Sequence, residues 1–393
     1  MVFSSDSAHV CSVESESTIS LYDWSNKSRR HIDISTQKTL LMQFTHNSCI
    51  LVTTSSESES QWCVSLHIDV ISDSARCLGS LNFPSVVSDV VLRKEYMCVV
   101  FSDNVSIYSI PNLHLMRKQP TFTNPGSACC SMSMDIPKLV FACLGMQRGT
   151  VRVERFSSPP SSSVIAAHDT SIVALALSGN GMYIATTSEK GTLIRIHSTF
   201  DDCALVHEVR RSFPLLTSQG PKKDIRTLFM SPNGTFVGLV TMGGEICVYK
   251  LSSSSPGSTS ALVSSTTSSD SRSFSNLYNR YVGSLSSTSP WFIQKIPNHK
   301  ENFSKIYVQF GLIPFTLLVT VDSNLFIYRF DGQHPNKIVL ARCDRITSPL
   351  NDSVVSDVSV VPYTDKEDEL SSSPDWVVLS DSQESFSYPQ QFW

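Results

Sequence analysis

Seven copies of one short strand pattern, spread along most of the chain, restrict its fold more than any other feature. Each copy is a small or polar residue followed by alternating apolar positions, often closing on an aromatic. The copies are Thr18-Ile19-Ser20-Leu21-Tyr22, Cys63-Val64-Ser65-Leu66-His67, Asn104-Val105-Ser106-Ile107-Tyr108, Thr150-Val151-Arg152-Val153, Thr192-Leu193-Ile194-Arg195-Ile196, Glu245-Ile246-Cys247-Val248-Tyr249 and Asn324-Leu325-Phe326-Ile327-Tyr328. Their first apolar residues are 19, 64, 105, 151, 193, 246 and 325, so the intervals are 45, 41, 46, 42, 53 and 79 residues. Four of the six lie at or near the ~40–45 residue period of a four-stranded propeller blade. The expectation is an all-β, WD40-like seven-bladed β-propeller over residues 1–346, closed on itself to protect its strand edges.

The two long intervals have visible causes. The first holds extra residues near 215–223, and the second a tract at 252–290 in which 21 of 39 residues are Ser or Thr. Such a tract cannot bury enough apolar surface to offset its ordering entropy, so it reads as an insertion within blade 6. Ser178-Gly179-Asn180-Gly181 and Ser231-Pro232-Asn233-Gly234 each separate two apolar strands, and Asn-Gly is the strongest short hairpin signal. The Gly-His…Trp-Asp blade signature is missing, and Asp23-Trp24 stands isolated.

Composition excludes several function classes. A net charge of −4 offers no basic stripe for nucleic acid. Eleven scattered cysteines without Cys-x-x-Cys spacing suit neither a zinc site nor a disulfide framework, so no metal or cofactor is expected and the thiols read as reduced and mostly buried. The opening Met1-Val2-Phe3-Ser4-Ser5 lacks the charged and apolar regions of a signal peptide. The apolar stretch from Phe310 to Val321, broken by Pro314, is too short to span a bilayer. A soluble cytoplasmic protein is expected. Gly-x-Ser-x-Gly, Walker and His-Glu-x-x-His motifs do not occur, so an enzyme is not expected.

Chemistry concentrates between Ala166 and Ser212. This segment carries His168, Ser188, Lys190, Thr192 and Arg195 and closes on Glu208-Val209-Arg210-Arg211-Ser212. Successive side chains on a strand point to opposite faces, so Arg210 and Arg211 are expected to enter different crevices. Each guanidinium offers a planar fork of donors suited to phosphate.

Ser188-Glu189-Lys190-Gly191-Thr192-Leu193-Ile194-Arg195-Ile196, followed by Arg210-Arg211, resembles the PROPPIN family of phosphoinositide-binding propellers of autophagy and endolysosomal membranes. Leu81-Asn82-Phe83-Pro84-Ser85-Val86-Val87, Val105-Ser106-Ile107-Tyr108-Ser109-Ile110 and Met146-Gln147-Arg148-Gly149-Thr150-Val151 resemble its blade segments in the same order. The resemblance covers roughly residues 1–345. It implies two headgroup pockets flanking a Phe-Arg-Arg-Gly motif, which here reads Val209-Arg210-Arg211-Ser212. It implies a first pocket of His168, Lys190, Thr192, Arg195 and Arg210, with Ser188 nearby. The second pocket looks impaired, because Gly244-Glu245-Ile246-Cys247 stands where the family usually has Gly-Thr-x-His. Glu245 would repel phosphate; Arg211, Thr241, Lys222 and Lys223 remain to compensate. The ligands implied are phosphatidylinositol 3-phosphate and, as a second candidate, the 3,5-bisphosphate. The implied role is recruiting autophagy machinery to phagophore, endosomal or vacuolar membranes as a peripheral protein.

Two outlying segments add to this. Within the Ser/Thr tract, Phe274, Leu277, Tyr278, Tyr281, Val282 and Leu285 fall at helical spacing as an apolar stripe. A segment of that kind buries its apolar side in a lipid interface; the alternatives are a helix packed on the propeller flank, or no helix, since Gly283 and the Ser content weaken it. Family members use a blade-6 loop for membrane insertion. From 347 to 393 the sequence is acidic, Ser-rich and aperiodic, and reads as a disordered tail. Within it Trp376 and Leu379, in Ser373-Pro374-Asp375-Trp376-Val377-Val378-Leu379, look like a motif that binds ubiquitin-like autophagy modifiers by adding a strand to a sheet edge. The competing reading is a scaffold propeller that binds only proteins, favoured by Val209, Ser212, Glu245 and Cys247.

Overall fold

A computed structural model describes residues 2–4, 7–14, 18–33, 39–45, 47–54, 61–70, 75–123, 130–134, 139–157, 159–200, 202–211, 225–251, 289–296, 306–311, 313–321 and 324–346. These residues form seven four-stranded antiparallel sheets, each built from one continuous stretch of chain. Blades 1 to 7 occupy 2–33, 39–83, 89–120, 130–166, 172–210, 225–295 and 306–345. The first strands of neighbouring blades touch around the ring, including those of blades 7 and 1. This is a seven-bladed β-propeller.

The repeated sequence pattern is the third strand of every blade, from Thr18–Asp23 in blade 1 to Asn324–Phe330 in blade 7. Its position explains its composition. Second strands such as Val140–Leu144, Phe236–Thr241 and Thr316–Val321 are buried on both faces between neighbouring blades. They read as nearly continuous apolar runs. The outer strand Ile338–Arg345 alternates between half-buried and exposed residues instead, because one face meets solvent.

The Asn-Gly turns recur as one device. Asn180 Oδ1 accepts from Ser178 Oγ and from the Met182 amide, while Gly181 sits at φ 69°. Asn233 Oδ1 accepts from Ser231 Oγ and the Thr235 amide, with Gly234 at φ 74°. Both glycines hold a left-handed conformation that side chains disfavour.

Neighbouring blades are tied by long cationic side chains. Arg117 of blade 3 pairs with the buried Glu154 of blade 4 at 3.2 Å. Arg155 of blade 4 donates to the Thr199 carbonyl and to Cys203 Sγ in blade 5. Lys250 of blade 6 lies over its own blade's Trp291 ring and donates to the Gly332 carbonyl. Among the described residues no sheet is shared between the two ends of the propeller, and side chains link them. Tyr22 donates to Asp344 at 3.0 Å, Arg342 donates to the Trp24 carbonyl, and Trp24 donates to the Ser7 carbonyl. Beneath these bonds Phe3, Val10, Tyr22 and Trp24 pack against Leu318, Leu325, Ile327 and Ile346. The ten described cysteines are unpaired, six of them buried. No described helix is long and apolar enough to cross a membrane. The Ser/Thr tract from 252 to 288 and the residues from 347 onward lie outside the described residues.

Candidate functional site

The last three strands of blade 5 set up the site by register. Tyr183–Ser188, Leu193–Ser198 and Leu205–Arg210 pair antiparallel, placing Thr186 opposite Arg195 and Arg195 opposite Glu208. Thr186, Arg195 and Glu208 thus form one row across the sheet, and Arg210, two residues beyond Glu208, joins the same face. The chain leaving blade 4 brings His168 onto this row. Gly149, at φ 76°, makes that passage possible, because its carbonyl accepts from the amides of both Ala167 and His168. A Cβ at Gly149 would lie 1.8 Å from the His168 carbonyl oxygen.

The side chains interlock. His168 Nε2 lies 3.0 Å from Thr186 Oγ1, and Thr186 donates its hydroxyl proton to the Arg195 carbonyl at 3.3 Å. The imidazole and the hydroxyl are thus hydrogen-bonded, with the donor set by the imidazole tautomer. Arg195 donates through Nη1 to the Ala167 carbonyl at 2.6 Å and through Nε to Glu208 at 3.0 Å. The other Glu208 oxygen meets Arg210 Nη2 at 3.4 Å. Arg195, Glu208 and Arg210 remain about one-third exposed. Burial first, and Arg195 second, push the His168 imidazole down to about 4, so it is neutral near pH 7.

Arg211 turns toward blade 6. Its amide donates to the Thr192 carbonyl, its guanidinium to the Gly191 carbonyl at 2.8 Å, and Tyr249 of blade 6 is a hydrogen-bonding neighbour. Burial raises the Tyr249 phenol to about 12 and the nearby Cys247 thiol to about 11. Cys247 lies in the apolar core between blades 5 and 6. Thr241 is buried, and its hydroxyl accepts from the Glu245 amide at 3.1 Å.

The remaining residues singled out from sequence fall as follows. Ser188 is buried at the end of its strand, Lys190 is exposed on the turn that follows, and Thr192 is half-buried beyond Gly191. Ser212, Lys222, Lys223, the stripe Phe274, Leu277, Tyr278, Tyr281, Val282 and Leu285, and the pair Trp376 and Leu379 lie outside the described residues. Three neighbours of the site were not assigned from sequence. Thr186 and Glu208 were legible by counting in twos along their strands. Arg148 was not: it crosses from blade 4 to contact Ser171 and Glu189 of blade 5, a contact between separate repeats.

The described residues form a seven-bladed propeller in which His168 and Thr186 meet Arg195, with Glu208 and Arg210 beside it, where blade 4 hands over to blade 5. The PROPPIN family model matches residues 45–252, and the chain belongs to that family. Autophagy-related protein 18e of Arabidopsis thaliana is 33% identical over 175 residues, covering 44% of this chain and 44% of that protein. Autophagy-related protein 18 of Dictyostelium discoideum is 24% identical over 272 residues, covering 67% and 71%. A mouse relative, WD repeat domain phosphoinositide-interacting protein 2, is 25% identical over 305 residues, covering 72% of this chain and 64% of its own length. Among solved structures, Hsv2 of Kluyveromyces lactis aligns at a TM-score of 0.63 and 16% identity, covering 88% of this chain and 98% of its own. A structure of KlAtg21 with the coiled coil of AgAtg16 aligns at a TM-score of 0.63 and 20% identity, covering 88% and 98%. These two structures speak to the fold alone.

Proposed function

We propose that the chain is a phosphoinositide effector whose principal headgroup site is the notch of His168, Thr186, Arg195 and Arg210. It would hold phosphatidylinositol 3-phosphate, with the 3,5-bisphosphate as a second ligand, and bring autophagy proteins to phagophore, endosomal or vacuolar membranes. One observation carries this reading: two partly exposed guanidiniums, Arg195 and Arg210, share one strand face with the buried, hydrogen-bonded pair of neutral His168 and Thr186. Arg195 is oriented by the Ala167 carbonyl before any ligand arrives, so little side-chain entropy remains to be lost on binding. A neutral imidazole suits an inositol hydroxyl, while the arginines suit phosphate. Lys190 on the adjoining turn adds long-range attraction. Arg211 and Thr241 belong to a second, weaker crevice facing blade 6, where Arg211 already serves Gly191 and Tyr249.

The stripe from Phe274 to Leu285 is proposed to insert into the lipid interface. Headgroup and insertion contacts on one molecule act as linked sites, raising avidity without either being tight. Trp376 and Leu379 are proposed to engage a ubiquitin-like modifier. The alternative is a scaffold propeller without lipid binding, favoured by Glu208, which already occupies both arginines of the row.

Liposome flotation separates the two readings. The full chain is expected to float with vesicles containing phosphatidylinositol 3-phosphate and to stay behind with phosphatidylcholine alone. Arg195→Thr plus Arg210→Thr is expected to weaken flotation at least tenfold, since each charge-assisted contact contributes about 1.5–3 kcal/mol. Binding indifferent to the 3-phosphate, or unchanged in the double variant, sinks the lipid assignment in favour of the scaffold.

A further inference from the structure

A carboxylate sits where a phosphate-binding row would be expected to hold only cations. Glu208 is directly opposite Arg195 in the sheet register, with Oε2 3.0 Å from Arg195 Nε and Oε1 3.4 Å from Arg210 Nη2. The three side chains are 28%, 30% and 33% exposed, so each is partly open to solvent. With His168 neutral, two guanidiniums and one carboxylate leave the row a single net positive charge rather than two. Arg195 is also held by the Ala167 carbonyl at 2.6 Å, so its orientation does not depend on Glu208 alone.

We propose that Glu208 is a specificity-determining residue: it screens the notch against bare polyanions and favours a ligand that brings hydroxyl donors next to its phosphate. The inference rests on the headgroup reading given above. Its physical content is a difference between two ligands. A polyphosphate without hydroxyl donors offers Glu208 nothing but like charge, and is repelled. An inositol ring bearing a phosphate places hydroxyls beside that phosphate, and a carboxylate accepting from them forms charge-assisted hydrogen bonds. The same carboxylate therefore opposes one ligand and rewards the other, as repulsive elements do wherever specificity must exceed affinity. A merely positioning Glu208 would act on both ligands equally.

The experiment compares pyrophosphate with inositol 1,3-bisphosphate, each with two phosphate groups, by calorimetric titration of the full chain and its Glu208→Gln and Glu208→Asp variants. Wild type is expected to prefer the inositol ligand. Glu208→Gln is expected to bind pyrophosphate roughly five- to tenfold tighter, the effect of one unit charge removed at a partly exposed site. The same variant is expected to change less than twofold toward inositol 1,3-bisphosphate, so that the preference collapses. Glu208→Asp keeps the charge and is expected to keep the preference. Equal changes for both ligands in Glu208→Gln would reduce Glu208 to a positioning residue and overturn the proposal. Should Glu208→Gln lose its thermal transition, wild type decides: equal affinity for the two ligands overturns the screen. Failure of the headgroup reading looks different, since wild type then binds neither inositol 1,3-bisphosphate nor vesicles carrying the 3-phosphorylated lipid.

Discussion

His168 is an imidazole the fold keeps uncharged. Burial is the larger cause and Arg195 the next, with His197 acting the same way and Thr186 and Asp169 acting against them. A histidine with an ordinary value of 6.5 in the unfolded chain and about 4 in the folded one binds its proton first when unfolded. Acid therefore favours unfolding: this contribution is intact above pH 6.5 and is lost as pH falls toward 4. The loss amounts to about 3 kcal/mol by the relation between a pKa shift and free energy. Asp89, raised by burial to about 6, acts in the opposite direction within the same window, so the comparison must be differential. Denaturant unfolding of wild type and His168→Gln at pH 7 and 4.5 is expected to show a smaller loss of stability in the variant. Parallel pH profiles would mean that His168 is solvated.

Elements join through turns whose chemistry is local and whose tolerance is not. Gly234 pairs a left-handed backbone with a tertiary contact, since a Cβ there would lie 2.5 Å from Tyr183 Cδ2 in the neighbouring blade. Gly181 has the same conformation, but its added Cβ would meet Val140 Cγ2 at 3.0 Å. A left-handed alanine costs about 1–2 kcal/mol from the backbone alone. Gly234→Ala is expected to be the more destabilising of the two substitutions, because a ring edge inside 3 Å must also move. Thermal melts of both variants test the order, and equal losses would show that the backbone alone sets the penalty. The same scale shows why the third strand was so legible. Confined between two neighbouring strands and two neighbouring blades, it repeats the same small, apolar and aromatic pattern seven times.

At the scale of the whole molecule, the ring is only as secure as the junction of blades 7 and 1. Among the described residues that junction is side-chain packing and a few hydrogen bonds, with no strand crossing from one end of the chain into the other end's sheet. Leu325 is fully buried in it. Leu325→Ala is expected to lower unfolding free energy by about 2–5 kcal/mol, the cost of a large-to-small change in a packed core. Affinity of the folded fraction for the proposed headgroup should stay unchanged, because the proposed site lies at blades 4 and 5. A loss of affinity alongside stability would mean that the junction and the notch are coupled.

Blade number, the third strands and the Asn-Gly turns were readable from residue order, because each depends on neighbours a few positions apart: period-two burial, a left-handed glycine and a recurring spacing. His168, Arg195 and Arg210, the proposed headgroup ligands, were also nameable from the chain, as residue types on or beside strands. Their arrangement was not. That Arg195 reaches the Ala167 carbonyl, that Arg148 crosses to Glu189, and that Arg211 meets Tyr249 all depend on which blade lies beside which. Even Glu208, one strand from Arg195, became a shared counter-ion only once the register set it opposite that arginine. Contacts between repeats leave no periodic trace in a sequence, so only the assembled ring decides how the charges of this site meet.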